Sequence, residues 1–187
     1  MTFGQFGNLT GTVGILVALS ACSSEYISVA NLHGSATVSM SVTPTMFGIH
    51  SDWNRALTVS DGVTTASIDL FEDTGWWRGS HIYLHSSGTF VVHEGQIGCF
   101  GFTLEPVSFG ARTSISCAKM ADTAARLSAD SPELNGYPAS RYYVGLFYVG
   151  RFVEAGRVPE LLDMRAKTPI VFQTYEQQAE PELPEIL

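Results

Sequence analysis

The chain is short of positive charge and of cysteine, and both shortages are informative. It has 10 Lys and Arg against 18 Asp and Glu in 187 residues, a formal net charge of −8. Eight of the ten basic residues are Arg, scattered singly from Arg55 to Arg165. No basic patch forms, so the sequence lacks the electrostatic footprint of a nucleic-acid-binding protein. Nor would an acidic chain be drawn to an anionic bilayer by its charge alone. No apolar run approaches the ~20 residues that a permanent membrane-spanning helix requires. The marks of common catalysts are missing as well. There is no His-Glu-x-x-His, no Gly-x-Ser-x-Gly elbow, and no cysteine in a nucleophile signature. The glycines from Gly95 to Gly101 lack the strand-to-helix context of a phosphate loop. With those marks absent, a binding or structural role is expected ahead of an enzymatic one.

What is present begins near the N-terminus. Val13 to Ala21 is an uncharged apolar run ending in Leu19-Ser20-Ala21-Cys22, followed by Ser23 and Ser24. An apolar stretch of ~7–15 residues before small residues is the physical signature of a secretory signal. No Lys or Arg precedes Arg55, so the segment before the apolar run carries no positive charge. Leu19-Ser20-Ala21-Cys22 resembles the lipobox of bacterial lipoproteins. That resemblance implies cleavage after residue 21 and a covalent lipid on Cys22 as membrane anchor; no other cofactor is expected. It also implies a cell-envelope location facing the periplasm, with Ser23 favouring the outer membrane. Assigning Cys22 to lipid leaves Cys99 and Cys117 as an even pair. In an oxidising compartment they are expected to form a disulfide closing a loop of roughly 19 residues, worth about 3 kcal/mol in the chain-entropy account. Two separate buried thiols are the alternative.

The remainder reads as residues 22–34, a tether; 35–175, a single domain; and 176–187, a solvated acidic tail with four Glu and two Pro. Ala36, Val38, Met40 and Val42 alternate with Ser and Thr, the period of a half-buried strand. Further strands are expected at 46–50, 55–60, 64–71, 80–85, 89–94, 97–104 and 112–117, with a hairpin at Asp61-Gly62. Tyr142 to Val153 is apolar on both faces, as in a strand covered on both sides, and Gly145 and Gly150 suggest close packing or a bulge. Met120, Ala121, Ala124 and Leu127 fall at helical spacing, predicting a helix over about 117–129. A short helix at 159–167 and a last strand at 169–175 follow. The fold expected is α+β, mostly antiparallel sheet with that one main helix packed on it.

Candidate chemistry concentrates between Ser80 and Glu94. A three-residue loop, Ser86-Ser87-Gly88, puts Gly88 at a left-handed position and pairs His81 with His93, Ile82 with Val92 and Leu84 with Phe90. That register gathers Ile82, Leu84, Phe90 and Val92 on one face and His81, Tyr83, His85 and His93 on the other. A metal such as zinc would use His81 and His93, with His85 further along and Glu94 or Asp69 as an oxygen ligand. The plainer reading is a solvent-facing polar strand surface. The same choice separates a periplasmic, possibly metal-dependent hydrolase from a binding protein. Asp69, Glu72 and Asp73 would be paired carboxylates in an enzyme, or a loop beside a strand end in a binding protein. Trp76 and Trp77 would point opposite ways on a strand. With Arg78 and Tyr83, one of them would form a contact surface for an envelope protein or a glycan.

Overall fold

The computed structural model describes residues 25–44, 53–70, 77–94, 98–110, 133–143, 145–157 and 169–182. Four strands, β1 (Tyr26–Asn31), β2 (Thr37–Pro44), β3 (Trp53–Ser60) and β4 (Thr65–Asp69), form an antiparallel sheet in chain order. Six more are β5 (Ser80–His85), β6 (Phe90–His93), β7 (Cys99–Leu104), β8 (Val107–Phe109), β9 (Leu146–Glu154) and β10 (Ile170–Thr174). They make a second antiparallel sheet in the order β10-β9-β5-β6-β7-β8. The two sheets pack face to face. Their edges also adjoin, β1 against β10 and β4 against β8, so the edge strands are covered.

Alternation builds the core. Val38, Met40 and Val42 of β2 and Leu57 and Val59 of β3 point inward. They meet Ile82, Leu84, Phe90, Val92, Phe100 and Phe102 from the second sheet in one buried cluster. Phe90 and Phe102, directly opposite on β6 and β7, stack with centroids 4.8 Å apart. Burial of apolar area on this scale is the main stabilising term of a sandwich.

The expected α+β class is therefore corrected. Among the described residues the regular structure is nearly all β, and its one helical element is a 3-10 turn at Ala155–Arg157. An apolar sheet face needs an apolar cover, and here the second sheet provides it where a helix was expected. The helices expected at 117–129 and 159–167, and the strands at 46–50 and 112–117, lie outside the described residues.

Two boundaries also differ. Tyr26–Asn31, read as tether, is β1, paired along its length with β2. The acidic tail includes packed residues, since Glu180 and Pro181 are buried.

The hairpins follow the turn chemistry. Asp61 Oδ1 accepts from the amides of Val63 and Thr64, both at 2.7 Å, and these bonds hold its carboxyl below the usual range. His85 N donates to Thr89 O at 2.8 Å and Gly88 N to His85 O at 2.9 Å, with Gly88 at φ 88°. The observed register is His81 with His93, Ile82 with Val92 and Leu84 with Phe90.

Candidate functional site

Strand β5 separates two polar clusters. Its inward residue Ser80 belongs to the first. Ser80 Oγ donates to Glu94 Oε1 at 2.6 Å and accepts from Trp77 Nε1 at 3.1 Å. Arg55 Nη1 reaches across from β3 to the same Glu94 oxygen at 2.6 Å, with both side chains essentially inaccessible. The Arg55 guanidinium also lies over the Trp77 ring, 4.7 Å from its centroid. Glu94 is thus on the inner face, committed to Arg55, and gives no oxygen ligand to the histidines. Trp77 and Tyr83, expected on a contact surface, are instead buried. Arg78 is exposed, and Trp76 lies outside the described residues.

The second cluster is on the outer face of the six-stranded sheet. One row crosses five strands there: Gln173, Arg151, His81, His93 and Cys99. The neighbouring row holds Tyr148 and Tyr83. This face was expected to meet solvent. It is interior: His81, Tyr83 and His93 are at most 1% exposed. The cover comes from residues 137–143, which run beside β9 beyond the end of β10. Tyr148 N donates to Pro138 O and Ser140 N to Leu146 O, both at 2.8 Å. Tyr143 from this cover packs on Tyr83, with centroids 5.6 Å apart, and on His93 at 6.0 Å. Tyr148 lies 5.4 Å from Tyr83 and 6.3 Å from His81. The five rings close a circuit: His81, Tyr148, Tyr83, Tyr143, His93.

Glu180 clasps the cover. Its Oε1 accepts from Ser140 Oγ and its Oε2 from Arg141 N, each at 2.7 Å, and the Arg141 guanidinium donates to its backbone oxygen. Ser140 Oγ in turn accepts from the amides of Tyr142 and Tyr143.

Burial governs the ionisation of this layer. It lowers His81 to about 3, assisted by the charge of Arg151 and then by His93, and lowers His93 to about 4. Both imidazoles are therefore neutral at neutral pH. Burial, reinforced by the Glu180 carboxylate, pushes Tyr143 up to about 12 and Tyr83 well above its ordinary value. Burial also raises Glu180, against the pull of its hydrogen bonds.

The sequence brought together His81 and His93 correctly, but not the rest of a metal set. His85 sits at the hairpin loop, where its Nδ1 engages Ser87 Oγ at 2.7 Å. Asp69 is exposed on the other sheet, and Glu72 and Asp73 lie outside the described residues. Among the described residues no group of three or more His, Cys, Asp or Glu side chains converges. Cys99 is disulfide-bonded. With three cysteines in the chain, its partner is Cys22 or Cys117, both outside the described residues.

Sequence reasoning missed Arg151, Tyr148, Tyr143, Ser140 and Glu180. For Arg151 a signal existed. Gly150 pairs with Ile82 and Tyr148 with Tyr83, so β9 carries one extra residue at this point. That bulge shifts the alternation by one and turns Arg151 onto the face of His81. Gly150 has φ 152°, and a Cβ there would meet Gln173 O at 2.3 Å, so the position requires glycine.

Comparison with known protein families, curated proteins and solved structures gives no match.

Proposed function

We propose that this protein is a lipid-anchored β-sandwich of the bacterial cell envelope, held by Cys22 and acting by binding rather than by catalysis. The observation that carries the reading is the disulfide at Cys99, which fits an oxidising, exported environment. The Leu19-Ser20-Ala21-Cys22 segment supplies the anchor and the outer-membrane, periplasm-facing address. The hydrolase alternative loses its support, because Glu94 is committed to Arg55 and Asp69 lies exposed on the other sheet, so neither joins His81 and His93.

Disulfide mapping of the exported protein tests the reading directly. A lipid thioether occupies the Cys22 sulfur, so the reading requires Cys99 to pair with Cys117. The expected result is that bond, together with an intact mass for residues 22–187 plus lipid and partition into detergent. A Cys22–Cys99 bond, or a water-soluble chain retaining residues 1–21 in its native host, would overturn it.

A further inference from the structure

On the outer face of the second sheet, the circuit of buried rings leaves specific polar atoms without hydrogen-bond partners. They include both ring nitrogens of His81 and the hydroxyls of Tyr143 and Tyr148. Buried polar groups are almost always satisfied, and each one left alone costs about 1–3 kcal/mol. Several side chains left so within one ring circuit have donors and acceptors to offer a partner from outside the chain.

The charges around it indicate what kind of partner. Arg151 is the cross-strand neighbour of His81. Its Nε donates to Gln173 Oε1 at 3.1 Å, its one hydrogen bond among the described residues, and no carboxylate there pairs with it. Glu180, whose charge also acts on Tyr148, is already held by Ser140 and Arg141. At the Tyr148 hydroxyl the charge of Arg151 outweighs that of Glu180. Tyr143, Tyr148 and neutral His81 each have a hydrogen to donate. A half-buried guanidinium beside such donors suits an oxygen-rich anion and disfavours a cation. Gly79 borders the same space. A Cβ there would lie 2.9 Å from Phe152 O and 3.8 Å from both His81 Nε2 and Arg151 Cδ, so only glycine fits beside them.

We propose that Arg151, His81 and Tyr148 form a binding site for a small oxyanion, either a carboxylate or a phosphate. The proposal rests on the binding half of the function proposed above. The anchor is tested independently, by disulfide mapping and mass.

The test uses the full chain in detergent, titrated by calorimetry with acetate and separately with inorganic phosphate, chloride holding ionic strength constant. The ring nitrogen signals of His81 are followed in parallel by NMR. Saturable binding with a shift at His81 is expected for at least one probe. Binding of acetate alone identifies a carboxylate site, and binding of phosphate alone a phosphate site. Tyr148→Phe keeps the ring and Arg151→Met keeps most of the stem, and each is expected to weaken binding at least tenfold. Should neither anion bind saturably, water alone fills the site and the proposal is overturned. Binding that Tyr148→Phe and Arg151→Met leave unchanged would place the anion elsewhere and overturn it equally.

Discussion

Ser80 and His81 are consecutive residues on opposite faces of β5, and their surroundings could hardly differ more. Inward, Ser80, Glu94, Arg55 and Trp77 are bonded to one another, and a buried cation meets a buried anion at 2.6 Å. Outward, the His81 ring has no hydrogen bond, and Arg151 beside it has no ion pair among the described residues. A closed polar cluster fixes one geometry, here the register of β3 against the second sheet. An open one keeps donors in place for something else. Both are buried, so burial alone does not separate a structural cluster from a functional one; the ion pair that ties Arg55 to Glu94 does.

The largest expected effect attacks the closed cluster. Glu94→Ala leaves the Arg55 charge buried and uncompensated, and should cost about 3–5 kcal/mol in chemical denaturation. Replacing both partners together, Arg55→Met with Glu94→Leu, should recover much of that loss. If the single change costs no more than the double, the inner cluster is not the coupled unit described here.

The open cluster should respond to acid. His81 and His93 have folded-state pKa values lowered to about 3 and about 4, against 6.5 for the free side chain. Below pH 6.5 the unfolded chain takes up protons that the folded chain refuses. Their contribution to stability is therefore complete above pH 6.5 and is lost as pH falls towards 4 and then 3. The slope approaches about 1.4 kcal/mol per pH unit for each histidine. Glu180, with its raised pKa, opposes part of this trend. Replacing both histidines by Phe should flatten the profile between pH 4 and 6.5, and an unchanged slope would contradict the assignment.

Gly150 connects the two clusters, because its bulge decides which face Arg151 occupies. Gly150→Ala should destabilise the fold by at least about 1–3 kcal/mol in thermal or denaturant unfolding, from strained backbone and contact with Gln173 O. An alanine variant as stable as the parent would remove the explanation for Arg151. The smallest effect is expected at the clasp. Glu180→Gln places an amide where Arg141 N now donates, and should cost about 1–2 kcal/mol. It should also speed proteolysis within residues 176–182, and unaltered cleavage would show that the carboxylate does not hold this segment.

The sequence made some of this arrangement readable and concealed the rest for physical reasons. The β5–β6 register was legible because Ser86-Ser87-Gly88 admits one loop that keeps Ile82, Leu84, Phe90 and Val92 on a single face. Strand β1 was not, since its larger aliphatics, Ile27 and Val29, point outward while Ala30 is buried, the reverse of the usual periodicity. The pairing of His81 with His93 was legible, but its burial was not. The cover comes from Tyr143, some fifty residues further on, and is clasped by Glu180 from a stretch whose composition reads as solvated. Alternation within a strand reports which residues share a face. It does not report what a distant segment lays over that face.

The ionisation of His81 and His93 tests the central claim most directly, namely that the histidine face is interior. In ring-nitrogen NMR of the full chain titrated from pH 8 to pH 5, both imidazoles should remain neutral throughout. Midpoints near 6.5 for the pair would mean that this face meets solvent, and would contradict the account.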